Sequence, residues 1–190
     1  DFSFIGASNV TSNNKRGVTL AVKHLHSLGH TKIAHIYGGL DLDIGKRRKE
    51  YFEGVMADLG LEVKQEYLVS GEFFSKEDGY NAMNHILELK DKPTAVFCAS
   101  DMIAIGAMQA IKEAGYSVPE DFSLVGFDGV DLGQLISPRL TTIRQDTSKM
   151  GQLSANQILL MINDKTHRQL KETITVDTML ISGETTKALK

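Results

Sequence analysis

Two spacings of apolar residues alternate along the chain. Val18, Ala21, Val22, Leu25 and Leu28 recur three and four positions apart and predict a helix from about Lys15, stopped by Gly29. Phe52, Val55, Met56 and Leu59 predict a second, ended by Gly60. A third is expected from the capping-box-like Ser75-Lys-Glu-Asp78 to about Leu89, a fourth over 102–114 with Gly115 as its stop, and a last over roughly 148–162. Between them lie short apolar, β-rich runs at 32–37, 67–70, 94–99 and 122–127. Strands separated by helices of this length imply βαβ units and a parallel sheet covered on both faces.

Residues 2–5, 140–145 and 173–181 read as further strands. Pro138 turns the chain before the 140–145 strand, which follows a complete set of four strand–helix units and could leave that sheet for a second lobe. The expected division puts residues 1–29 and 144–167 in an N-terminal lobe, and 30–143 and 168–190 in a C-terminal lobe. A short end segment and one helix cannot close a core, so the first lobe is expected to be incomplete and the chain to be part of something longer.

Composition narrows the function classes. Apolar residues make up 42% and charged residues 24%, ordinary globular values. A net charge of −3 lacks the basic footprint of a nucleic-acid-binding surface. No apolar run has the length of a membrane helix and no signal peptide is recognisable, which points to a soluble, cytoplasmic protein. The single cysteine, Cys98, suits a reducing compartment and sits in an apolar strand as an inert thiol. Asn9-Val10-Thr11 matches a glycosylation acceptor by chance on this reading.

Open α/β sheets hold ligands at the carboxyl ends of their strands. That rule collects Arg48, Glu72, Phe73, Phe74, Ser100, Asp101, Asp128 and Gly129. One guanidinium, two carboxylates, a hydroxyl and aromatic rings suit a small polar guest with vicinal hydroxyls or a heterocycle edge. Asp128 follows a buried strand and has no helix of normal length to cap, so a ligand contact is expected. Asp101 and Ser100 each stand where a helix N-cap belongs, so each is either a cap or a contact. Of Phe73 and Phe74, one is expected in the core and one in the cleft. Gln145 either braces backbone or meets the ligand. Lys46, Arg47, Arg48 and Lys49 oppose the dipole of the helix they open, so at least one needs a partner.

Catalytic and metal readings find little support. No nucleophile pairs with a base, and Gly38-Gly39 lacks the third glycine of a dinucleotide loop. His26 and His30 are separated by Gly29 without an acidic partner, and His24, His35, His85 and His167 are isolated. Neither a metal nor a cofactor is expected, and the protein is not read as an enzyme.

Four linked motifs carry a family resemblance: Gly-His-Thr-Lys-Ile-Ala-His-Ile-Tyr-Gly-Gly at 29–39, Pro-Thr-Ala-Val-Phe-Cys-Ala-Ser-Asp-Met-Ile-Ala-Ile-Gly-Ala at 93–107, Val-Pro-Glu-Asp-Phe-Ser-Leu-Val-Gly-Phe-Asp at 118–128 and Pro-Arg-Leu-Thr-Thr-Ile-Arg-Gln-Asp at 138–146. Over nearly the whole chain they resemble the LacI/GalR family of bacterial transcription regulators. The resemblance implies an α/β, type I periplasmic-binding-protein-like fold of two Rossmann-like lobes, the C-terminal one complete and the N-terminal one partial here. It implies effector binding by Arg48, Phe74 or Phe73, Ser100, Asp101, Asp128 and Gln145. Tyr51 replaces the family's usual glycine after the arginine, Ser100 its usual asparagine, and Gly129 its frequent second aspartate. Ser12-Asn13 resemble the Asp-Asn that precedes the first helix.

The resemblance further implies a homodimer, with Ile103, Ile105, Leu135 and Ile136 as candidate contacts, although ordinary core packing also accounts for them. A sugar or sugar derivative is the expected effector, with a purine-like ligand as the variant. Operator DNA would be bound by a headpiece that has no counterpart in this sequence. A transport-type sugar-binding protein shares the fold and predicts a monomer. A nucleotide-dependent enzyme would need a phosphate loop and an acid–base pair, which are missing.

Overall fold

The computed structural model describes residues 8–164 and 171–189. The strand expected over 2–5 and His167 lie outside the described residues. The elements run β1 (Asn9–Ser12), α1 (Asn14–Ser27), β2 (Ile33–Tyr37), α2 (Asp43–Asp58), β3 (Leu68–Ser70), α3 (Lys76–Glu88), β4 (Ala95–Cys98), α4 (Asp101–Glu113), β5 (Ser123–Asp128), α5 (Asp131–Leu135), β6 (Thr141–Gln145), α6 (Thr147–Asn163), β7 (Thr173–Val176) and β8 (Thr178–Ile181).

A six-stranded sheet in the order β3-β2-β4-β5-β6-β8 forms the body, and β1 pairs with β7 in a separate two-stranded sheet. All pairings in the body are parallel except β6 with β8. Every residue of β2 and β4 is buried, as strands covered on both faces require. On one face Met83, Ile86, Ile103, Ala107 and Ile111 of α3 and α4 pack on Ala34, Ile36, Val96 and Leu124. On the other, Val18, Val22, Leu25, Phe52 and Met56 of α1 and α2 pack on Ile33, Phe97, Val125 and Phe127. Fully burying side chains of this size is worth about 1.5–3 kcal/mol each.

Glycines set the closest contact. A methyl group on Gly79 would strike the backbone carbonyl of Ile103, and one on Gly106 would strike that of Lys76, so α3 and α4 meet backbone to backbone. The helix ends follow local chemistry. Asn13, Ser100 and Asp146 cap α1, α4 and α6, and Ser75 with Asp78 closes the full capping box of α3.

The packing divides the chain differently from the sequence expectation. Helix α1, assigned with residues 1–29 to the first lobe, lays its buried face on the six-stranded sheet. Strand β6 does not leave the sheet: Thr142 to Arg144 pair in register with Gly126 to Asp128. The single strand read at 173–181 is two, broken at Asp177, with β7 joined to β1 and β8 to β6. The elements outside the body are therefore β1, α6 and β7. Helix α6 has no buried residue, and Ile158, Leu159, Leu160 and Ile162 are exposed on it.

Candidate functional site

The order of the sheet contains a reversal. From β2 the chain passes through α2 to β3 on one side, and then through α3 to β4 on the other. Helices α2 and α4 thus leave neighbouring strands on opposite faces, and a crevice opens beyond their carboxyl ends. Four loops meet there, after β2, β3, β4 and β5.

Arg48 reaches into this crevice from α2 and is only 3% exposed. Its Nη1 donates to the carbonyl of Ala99, just beyond β4, and its Nε donates to Asn14 Oδ1 at 3.1 Å. The guanidinium lies over the Phe127 ring, 3.6 Å from its centroid, and 6.0 Å from that of Phe74. Burial pulls its pKa down to about 10, opposed by the carboxylates of Asp128 and Asp101, so it stays charged at neutral pH. The neighbouring cations are held elsewhere: Arg47 pairs with Asp43 at 2.9 Å and Lys49 with Glu53 at 2.8 Å.

Asp128 ends β5 with φ at +111°, a conformation that side-chain-bearing residues rarely adopt. The backbone is bent where the carboxylate is presented. Its Oδ1 accepts from Gln145 Nε2 at 2.6 Å and lies 3.7 Å from Arg48 Nη2. Burial raises its pKa, against the lowering effect of Arg48 and Gln145. Gln145 Oε1 in turn accepts from the hydroxyl of Ser12.

Phe74 stands near Arg48, packed against the core on its other side. Gly38 makes room for it, since a Cβ there would overlap the ring. Phe73 is 64% exposed, and its backbone N–H donates to Asp78. The sequence expected one ring buried and one in the cleft. Phe74 is half-buried, packed against the core with its ring near Arg48, and Phe73 faces solvent.

Ser100 and Asp101 lie under the site and do not open onto it. Ser100 is the cap of α4: its Oγ accepts from the Ile103 N–H and donates to the Phe74 carbonyl at 3.4 Å. Asp101 is fully buried and caps nothing. Its carboxylate accepts from the Val130 N–H at 2.7 Å and from the Thr142 hydroxyl, which fastens the loop after β5 to β6. Burial lifts its pKa to about 6. The sequence weighed cap against ligand contact for Asp101; the cap of α4 is Ser100, and the Asp101 carboxylate is engaged by Val130 and Thr142.

Sequence reasoning missed Asn14, Phe127, Ala99 and Ser12. The first three surround the guanidinium, one through a carbonyl that no side-chain pattern reveals. Asn13 caps α1, and Asn14 is the residue that receives Arg48. Among the dimer candidates, Ile103 is fully buried in the core against α3 and β4, so it offers no surface. Leu135 is 81% exposed, while Ile105 and Ile136 line a groove of about 440 Å³ with Met108, Tyr116 and Pro138. Among the described residues no group of three His, Cys, Asp or Glu is placed to hold a metal, and no helix is long and apolar enough to cross a membrane.

Comparison with known proteins bears on what this crevice belongs to. Residues 22–186 match the model of the periplasmic binding protein-like domain. The transcriptional repressor PurR of Mannheimia succiniciproducens is 38% identical over 181 residues, covering 95% of this chain and 53% of that protein. The chain thus spans about half the length of such a relative. Among solved structures, the complex of the regulator CelR with cellobiose matches with a TM-score of 0.88 at 27% identity, over 95% of this chain and 54% of that one. The Lac repressor dimer bound to operator and the anti-inducer ONPF matches with a TM-score of 0.86 at 28% identity, over 94% and 60%. These relatives are named as repressors and regulators of transcription. The chain belongs to the LacI family of transcriptional regulators, of which it carries the effector-binding, periplasmic-binding-protein-like part.

Proposed function

We propose that the crevice beyond β2, β4 and β5 is the effector site of a cytoplasmic regulator, and that Arg48, Phe74 and Asp128 are its ligand contacts. The observation that carries this reading is the meeting of a buried guanidinium and a carboxylate 3.7 Å apart at the reversal point of the sheet. Arg48 is fixed by the Ala99 carbonyl and Asn14, and Asp128 is held in an uncommon backbone conformation. Such groups are set in place before a guest arrives, which lowers the cost of ordering them on binding. The ligand is a small polar molecule with several donors and acceptors, a sugar or sugar derivative in the first instance and a purine-like molecule as the variant. The cellobiose complex of a related regulator supports the sugar reading.

The remaining parts of the mechanism belong to the whole regulator. Strands β1 and β7 and helix α6 form the portion of a second lobe present in this chain, and the apolar side chains exposed on α6 pack within the rest of that lobe. Ligand closes the lobes on each other and shifts a two-state equilibrium, by as much as it prefers one state to the other. Operator DNA is bound by a separate headpiece, and two copies pair along the groove lined by Ile105 and Ile136 with Leu135 at its margin, as support from the operator-bound Lac repressor dimer suggests.

A thermal-shift screen of the full-length protein against sugars, sugar phosphates and purines tests the site. A binder raises the midpoint with concentration. Arg48→Ala and Asp128→Ala are each expected to abolish that rise while the unliganded protein stays folded. Wild-type shifts in both variants would remove the assignment.

A further inference from the structure

We infer that Gln145 is a positioning residue and not a ligand contact, tying the Asp128 carboxylate to Ser12 and, through Ser12, to β1 and α6 outside the main sheet. This rests on the proposed function only in naming Asp128 as the ligand's end of the relay.

Both ends of the Gln145 amide are already used. Nε2 donates to Asp128 Oδ1 at 2.6 Å and Oε1 accepts from the Ser12 hydroxyl. An ionised carboxylate can only accept, so it selects the orientation with the NH₂ group toward Asp128, which leaves the amide carbonyl facing Ser12. Ser12 is buried and has one hydroxyl proton with two acceptors in reach: Gln145 Oε1, and Met150 Sδ on α6 at 3.1 Å. A carbonyl oxygen is the stronger acceptor and a thioether a weak one, so the proton goes to Gln145 while Asp128 holds the amide. If the amide turns over, its NH₂ faces Ser12. The hydroxyl then accepts from it and donates to sulfur.

The same four groups therefore have two discrete arrangements, selected by the carboxylate. One leads from the site across β6 to β1, and the other gives the Ser12 proton to the first turns of α6. A second path from the crevice to β1 runs through Arg48 and Asn14, whose Nδ2 donates to the Ser12 carbonyl. Asp128 meets Arg48 only as an ion pair at 3.7 Å, beyond hydrogen-bond range, so the hydrogen-bonded route from the carboxylate to Ser12 is the one through Gln145.

A double-mutant cycle read by hydrogen exchange on the full-length protein tests the relay without any ligand. Asp128→Ala is expected to accelerate exchange in β1 and the first turns of α6 by roughly tenfold, the effect of one net hydrogen bond to a charged group. Gln145→Ala and Ser12→Ala are expected to do the same. In the Gln145→Ala background, Asp128→Ala should add less than about twofold. Strands β4 and β5 should stay protected throughout, which separates the relay from general unfolding. If Asp128→Ala loosens those strands, Asp128→Asn carries the same cycle, because an amide no longer selects one orientation of Gln145. Effects of Asp128 and Gln145 that multiply independently, or unchanged exchange in β1 and α6, would overturn the relay. A failed ligand screen would instead remove the effector reading and leave this cycle's outcome standing.

Discussion

Replacing Asp128 by asparagine removes the carboxylate charge of the candidate site while keeping the size and shape of the side chain. Asparagine tolerates positive φ better than other side-chain-bearing residues, so the +111° backbone angle is kept. Its Oδ1 can still accept from Gln145. What disappears is attraction to Arg48 across 3.7 Å, about 4.5 kcal/mol at an effective dielectric constant of 20. That figure does not survive as stability. The Asp128 side chain is 33% exposed, which screens the pair, and burial already raises its pKa, so the ionised form is disfavoured before Arg48 is counted. The expected net change is within about 1 kcal/mol, or roughly 2–4 °C in Tm for a protein part of this size.

Ligand affinity should respond far more strongly, because a hydrogen bond to a charged group contributes about 1.5–3 kcal/mol, roughly 10- to 150-fold in Kd. Calorimetry on wild type and Asp128→Asn with a ligand from the screen measures the affinity, and thermal unfolding without ligand measures the stability. Unchanged affinity would refute the role of the carboxylate. A loss above about 3 kcal/mol in stability with proportionate loss of binding would show the pair to be structural.

Phe74→Ala should weaken the same ligand roughly tenfold through loss of the covering ring, whereas Phe73→Ala should leave Kd within about twofold. His35 lies fully buried in the stack of Phe52 and Phe97, with ring centroids 4.8 and 4.7 Å away, and its Nδ1–H donates to the Phe97 carbonyl while Nε2 has no hydrogen-bond partner among the described residues. Burial lowers its pKa to about 3, so the unfolded chain takes up the proton first as pH falls below about 6.5, and the neutral ring's contribution to stability is lost between there and about 3. From pH 6.5 to 5 wild type should lose roughly 1.6 kcal/mol relative to His35→Leu in urea unfolding, and parallel pH curves would refute this. Ile136→Asp, at the groove beside α4, is expected to convert a dimer to monomer in sedimentation while Tm of the protomer changes little. An unchanged dimer would exclude that face.

The sequence shows the layers of this fold more clearly than it shows what they touch. Uniformly apolar runs such as Ile33–Tyr37 and Ala95–Cys98 read directly as strands covered on both sides, and the sheet is built on them. The apolar face of α1 was equally plain, but periodicity does not say which surface covers it, and its assignment to the other lobe was wrong for that reason. The run at 173–181 shows β-type residues on both sides of Asp177, and nothing local reveals that its halves serve different sheets.

The candidate site follows the same divide. Arg48 and Asp128 come from strand-end logic, which fixes where residues emerge. Asp101 emerges at the same rim yet turns inward, because Val130 N–H and Thr142 offer it donors that only the folded loop supplies. Phe127 beneath the guanidinium is likewise a product of packing, since an aromatic next to an aspartate in a buried strand carries no mark of a cation partner.

The most direct measurement is a crystal structure of the full-length protein with a ligand taken from the thermal-shift screen. Polar atoms of the ligand should lie within about 3.2 Å of both the Arg48 guanidinium and the Asp128 carboxylate, with the Phe74 ring against its apolar face. A ligand bound elsewhere, with Arg48 and Asp128 facing only each other and solvent, would contradict the account.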